Sequence, residues 1–346
     1  MASGAYADTA LLAGIGILDK KFNSAELRRP EYGAFKSFLN KREILVPSAD
    51  SLRLSDVRPV TAEYLERTNR RDEIYATRTC TPTAAWGDSG EFTLSYTTYS
   101  HTVQTAMKVF DNNYYTQAQA FANDLYNMWM DLYQEIECDA ITYLDTNRNG
   151  LQGNRTLNTW DGVNDIMEVL NADRDNYLNY IKVEMIADNY RGTLQDIHTP
   201  NMLAMYRQQF AQGASNDENL KFQFPGFEHY MSNCITNASD HFGTSYIVED
   251  GYTAALDWIP PINRKGEESK AGEIWTTARD PFFGLTWAVF ITDGCVDTTY
   301  SQGGDPKGST QDYRRTYEFS IDLSFNHAPI TVADETPINK YALLSS

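Results

Sequence analysis

Gly87-Asp88-Ser89-Gly90 sets a serine between glycines behind an acid, the form of a chymotrypsin-like nucleophile segment. That chemistry needs a histidine base placed earlier in the chain and a glycine after the serine segment for the oxyanion hole. All five histidines (His101, His198, His229, His241, His327) follow Ser89, and residue 91 is Glu, so a glycine-rich turn is the better reading. Asp145-Thr146-Asn147-Arg148-Asn149-Gly150 matches the first half of a calcium loop. Its twelfth position is Thr156 and not a bidentate Glu, and Arg148 adds positive charge, so the stretch reads as the turn that ends a helix. Gly303 to Thr310 carries its lysine before a glycine and lacks the order of a phosphate loop; Gly14-Ile15-Gly16 has neither a preceding strand nor a third glycine. Cys80, Cys138, Cys234 and Cys295 are far apart, contain no CxxC, and read as scattered buried thiols. No catalytic residue, cofactor or metal ligand is predicted, and the chain does not read as an enzyme.

Composition narrows the alternatives. At 346 residues the chain can bury a full core and form two subdomains, and 42% hydrophobic with 22% charged residues is a globular balance. A formal charge of −18 without a basic stripe opposes direct gripping of nucleic acid, which needs cations against phosphates. The 22 tyrosines suit half-wet sheets and protein interfaces. Ala10 to Leu18 is apolar but has no Lys or Arg before it, so it does not read as a signal peptide, and synthesis in the cytoplasm is expected. No apolar run approaches the ~20 residues of a membrane span.

The elements follow from periodicity. The first 50 residues carry seven Lys/Arg against six Asp/Glu, a net +1 in a chain of −18. Glycines and Pro30 interrupt them, predicting an extended arm with short helical pieces that buries Leu11, Leu12, Ile15 and Leu18 only against something else, with a neighbouring copy as the candidate. Thr61–Arg67 is expected as a turn or short helix. A Thr-rich hairpin follows, with arms Glu73–Thr81 and Glu91–Gln104 around a turn at Trp86–Gly90. It has few bulky apolar side chains to anchor it on its own protein, and an isolated hairpin is marginal in water. Phe121, Ala122, Leu125, Trp129, Leu132, Ile136 and Ala140 recur at three- and four-residue steps, predicting a long amphipathic helix within Asp111–Asn149. Tyr177, Leu178, Ile181, Met185 and Ile186 share a second helical face, and Thr199-Pro200 starts a third helix that closes near Gly213. Short strands dominate beyond Phe222. The plainest strand alternates Tyr317, Phe319, Ile321, Leu323 and Phe325 with polar residues.

This order of arm, projecting two-stranded loop, spine helix, second helical region, compact mixed domain and final long strand resembles the major capsid proteins of tailed bacteriophages. Their shell fold is shared with encapsulins and the herpesvirus capsid floor. The resemblance implies an α+β fold with an N-terminal arm at 1–55, an E-loop at 72–105, a peripheral domain from 56–71, 106–212 and 311–346, and an axial domain at 213–310. It also implies self-assembly into hexamers and pentamers of an icosahedral head that encloses double-stranded DNA without sequence-specific binding. Scaffold, portal and decoration proteins are the implied further partners, the virion the implied location, and no membrane is involved. An acidic wall to which DNA does not adhere agrees with that role. Trp86 at the hairpin tip and Arg78 on its arm are the predicted intersubunit contacts. No Lys lies between Lys41 and Lys108, so covalent cross-linking through an E-loop lysine is not expected. The alternative is an acidic, Tyr-rich carbohydrate-binding protein or glycosidase, using aromatic stacking and paired carboxylates.

Overall fold

The computed structural model describes residues 8–65, 89–106, 116–150, 158–188, 190–213, 226–266, 268–270, 272–302, 305–329 and 336–345. The chain opens with helix α1 (Thr9–Asn23), whose N-cap Asp8 accepts the backbone N–H of Leu11. Short helices α2 (Gly33–Leu39), α3 (Arg42–Leu45) and α4 (Ala49–Arg53) follow. Strand β1 (Thr61–Leu65) then pairs antiparallel with β2 (Ser89–Thr93), forming a two-stranded sheet of its own. Strand β3 (Thr97–Ala106) leads to the spine, helix α5 (Gln117–Thr146), of 30 residues.

A capping box starts the spine: Thr116 Oγ1 accepts the Gln119 N–H while the Gln119 side chain accepts the Thr116 N–H. Phe121, Leu125, Trp129, Leu132, Ile136, Ala140 and Leu144 are all buried along one stripe. The expected spine helix is therefore present, entering at Thr116.

The remaining elements are β4 (Thr159–Asp161), β5 (Ile166–Val169), α6 (Tyr177–Ala187), β6 (Leu194–His198), α7 (Pro200–Gly213), β7 (Phe227–Met231), β8 (His241–Glu249), β9 (Thr253–Trp258), α8 (Pro261–Lys265), β10 (Glu268–Lys270), β11 (Glu273–Arg279), β12 (Thr286–Gln302), β13 (Asp305–His327) and β14 (Asn339–Leu344). They build two six-stranded sheets. One runs β10-β11-β12-β13-β3, with β9 also on β13; the other runs β4-β5-β14-β8-β6-β7. The 23-residue β13 is long enough to hold β12, β3 and β9 in turn.

The spine packs on the inner face of the first sheet. Trp129 meets Phe319 edge-on at 5.5 Å, and Tyr133 meets Trp287 at 5.7 Å. Helix α1 also packs against the spine, with Leu11 and Leu18 in the same core. The expectation that this arm buries itself on a neighbour is thus corrected: its apolar face is satisfied within the chain, and only Leu12 stays exposed, at 56%. Gly14 makes the contact possible, because a Cβ there would meet Leu125 and Phe121 at 3.0 and 3.1 Å. A second core lies between the other sheet and helices α6 and α7, containing Tyr177, Leu178, Ile181, Met185, Met202 and Tyr206. Ile186 does not share the buried face as expected; it is 43% exposed.

The hairpin differs from expectation in its pairing. Thr61–Arg67 does not begin as a turn or helix, since residues 61–65 form a strand. Among the described residues, the first part of 91–104 pairs with β1 and its second, β3, joins the main sheet against β13. Glu73–Thr81 itself lies outside the described residues. The strands of 213–310 are also divided, with β7 and β8 beside β6 and β14 while β9 to β12 sit on the spine's sheet.

Candidate functional site

The β1–β2 stem stands apart from both large sheets yet has a firm base. Ala62 and Leu94 are buried among Leu45, Val46, Ala49, Ala254, Leu256 and Ala328. The stem is thus anchored on its own chain, correcting the expectation drawn from its scarcity of bulky apolar residues. A Cβ at Gly90 would lie 2.5 Å from the Tyr64 hydroxyl, so a larger residue there would have to push that ring aside. Arg58 crosses the Tyr96 ring at 5.7 Å and bonds to Asp322 at 3.3 Å, while Thr98 donates to the other Asp322 oxygen at 2.6 Å. Burial, with Asp257 and Asp322 nearby, pushes the Tyr96 hydroxyl up to about 12. Arg42 and Arg53 converge on buried Asp257, at 2.9 and 2.8 Å.

The segment entering the stem is also held by its backbone. Arg264 donates to the carbonyls of Leu54 and Ser55 at 2.7 and 2.6 Å, and Trp258 Nε1 donates to Ser55 at 3.2 Å. Held in this way, the segment presents Leu54, Val57 and Val60 outward at 64%, 78% and 68% exposure. Three branched apolar side chains turned to solvent beside an anchored stem suit contact with another chain. The predicted contact residues Arg78 and Trp86 belong to the segment carried between β1 and β2 and lie outside the described residues.

Three buried acids fasten the N-terminal region. Asp8 accepts from Arg315 at 2.7 Å and from the Tyr317 hydroxyl at 3.2 Å, and Arg315 forks onto Asp293 at 2.6 and 2.8 Å. The Arg315 fork holds the Asp293 carboxyl below its usual range. Glu137 on the spine accepts the N–H groups of Ala34 and Phe35 at 2.9 and 2.8 Å. Burial raises its pKa even so. Asp250 receives the ammonium of Lys41, whose pKa is raised by that bond.

Residues once weighed for chemistry have other partners. Asp145, first of the calcium-like run, accepts from Tyr246 and Lys340 at 2.6 Å each. Burial opposes its charge, but Lys340 and Tyr246 outweigh it and lower its pKa. The cysteines are not all scattered thiols: Cys138 of the spine and Cys234, after β7, form a disulfide across 96 residues, with Cα atoms 5.0 Å apart. No local spacing signals such a pair.

One polar cluster went unnoticed in the sequence. Asp196 and His198 alternate onto one face of β6, and the parallel register sets His229 of β7 opposite Asp196. His229 Nδ1 lies 2.8 Å from Asp196 Oδ2, and His198 Nδ1 lies 2.9 Å from the Thr199 carbonyl. Tyr206 closes over both imidazoles, 5.1 Å from His198 and 4.9 Å from His229 between ring centres. Burial opposes the charge of Asp196, but the two histidines lower its pKa nonetheless. The D-x-H alternation of 196–198 was the available signal; its completion by His229 required the strand pairing. An acid–imidazole pair of this kind could orient a base, yet it opens into neither of two surface clefts among the described residues. One of about 420 Å³ is lined by Asp19, Arg29, Arg279 and Asp280, and the other, of about 400 Å³, by His101, Asp131, Glu135 and Asp139.

No family model matches the chain, and no curated protein matches its sequence. Among solved structures, the chain is similar to the capsid of Ralstonia phage GP4, at 8% identity and TM-score 0.47 over 92% of each chain. It is also similar to a chain from Mycobacterium phage Che8, at 9% identity and TM-score 0.44 over 90% of each. A third similarity is to the capsid of an empty GTA particle, at 10% identity and TM-score 0.39, covering 86% of this chain and 90% of that one. The fold is α+β.

Proposed function

We propose that this chain is a major capsid protein that assembles with copies of itself into the hexamers and pentamers of an icosahedral phage head around double-stranded DNA. The observation that carries the reading is the β1–β2 stem: a small separate sheet, fixed at its base, entered by an outward apolar row at Leu54, Val57 and Val60. A lone chain gains nothing from holding such a row rigidly in water, whereas a neighbour that covers it gains buried apolar area. In this reading Arg78 and Trp86, carried between the strands, contact the adjacent subunit. The spine sheet and α5 form the peripheral part, and the β4-to-β7 sheet with α6 and α7 forms the axial part. The net charge of −18 keeps packaged DNA from adhering to the wall. Scaffold, portal and decoration proteins are further partners of such a shell, and synthesis in the host cytoplasm precedes assembly.

The test is the assembly state of the expressed chain. Size exclusion with negative-stain imaging is expected to give closed particles with six- and five-fold capsomers. A monomer that persists at high concentration would count against the proposal.

A further inference from the structure

We propose that Asp196, His198 and His229 form a binding site for a divalent transition-metal ion of the zinc type, a structural clip between β6 and β7. One ligand atom from each residue lies within 4.8 Å of the other two. The donor set, two imidazoles and a carboxylate, is one that zinc accepts at about 2.0–2.2 Å per bond.

The His198 tautomer is already suited to coordination. His198 Nδ1 faces the Thr199 carbonyl, which accepts but cannot donate, so its proton sits on Nδ1 and the Nε2 lone pair is free. A second-sphere carbonyl fixing a ligand imidazole in this manner is the usual support of a metal-bound histidine. His229 Nδ1, directed at Asp196 Oδ2, becomes a ligand when its proton moves to Nε2, a buried nitrogen with no hydrogen-bond partner among the described residues. Asp196 is fully buried, with the Tyr206 hydroxyl also beside its carboxylate. The three residues supply three donors, and a water takes the fourth position of a tetrahedral shell. The 2.8 Å gap between Oδ2 and Nδ1 must open by about half an ångström for tetrahedral ligands at zinc distances.

The site is more enclosed than the second acid–histidine grouping, Glu168, Asp240 and His241, whose Asp240 side chain is 70% exposed. Enclosure favours a structural role, since His198 and Asp196 are 1% and 0% exposed.

The full chain, stripped with a chelator and dialysed, would be titrated with Zn²⁺ alone and its metal content measured. About one zinc per chain is expected, with a rise in Tm on loading. His198→Gln leaves the Asp196–His229 pair in place and should weaken uptake at least tenfold and abolish the Tm rise, whereas His241→Gln should bind as the native chain does. Cobalt loading of the native chain gives a second reading that does not depend on any variant folding: the intense visible absorption of a four-coordinate Co²⁺ site. Absence of that absorption, less than one-tenth of a zinc per chain, equal uptake by His198→Gln, or loss of uptake in His241→Gln would each overturn the proposal.

Discussion

Asp8 and Arg315 meet at 2.7 Å across 307 residues of chain. The same carboxylate caps helix α1, so one acid both starts the N-terminal helix and fixes it to β13. Removing the cation leaves Asp8, which is 4% exposed, with a buried charge. Arg315→Met is expected to cost about 3 kcal/mol, in the range for breaking a buried pair from one side. Chemical denaturation of the purified chain measures it, and a loss within 0.5 kcal/mol of zero would refute the assignment.

Glu137 ties the spine to α2 through two backbone N–H groups. Glu137→Leu strands both donors, and at about 1–3 kcal/mol per orphaned group the variant should lose about 2–6 kcal/mol. Glu137→Gln keeps one acceptor and should lose less. Equal losses in the two variants would mean that volume, not hydrogen bonding, governs the site.

The Cys138–Cys234 disulfide joins the spine to the end of β7. A crosslink closing a loop this long contributes up to about 4–5 kcal/mol by the chain-entropy model. Reductant should therefore lower Tm, and Cys138→Ala should reproduce the drop without reductant. Peptide mapping after thiol labelling of the unfolded, unreduced chain should leave both cysteines unlabelled.

His327 supplies a pH signature. Its Nδ1 lies 2.7 Å from the Tyr143 hydroxyl, and burial lowers its pKa below the ordinary 6.5. The unfolded chain therefore binds a proton that the folded chain refuses. The stability this group confers is complete above pH 6.5 and declines as the pH falls through the window from 6.5 to the depressed folded value. His327→Gln should flatten the stability profile in that window. An unchanged slope would assign the acid sensitivity elsewhere.

What was legible in the sequence was local. The spine could be read because Phe121, Leu125, Trp129, Leu132 and Ile136 repeat with the helical period and all face one core. Strand β13 could be read because Tyr317, Phe319, Ile321 and Leu323 alternate onto one buried face. Helix α1 could not, since Gly14 looks like a breaker until the spine is seen pressed against it. The pairing of β1 with β2, the partner of Cys138 and the arrival of His229 beside Asp196 are all non-local. Periodicity carries no register between distant strands.

The proposed role of the segment between β1 and β2 is tested most directly by deleting residues 82–90 and comparing the two chains by electron microscopy and thermal melting. The deletion removes the first two residues of β2 but leaves β3, the strand of the spine's sheet that follows the stem, intact, so the subunit should keep its cooperative melt. The native chain should form closed shells, and the deletion should yield folded subunits or loose capsomers only. Normal shells from the deleted chain would contradict the account.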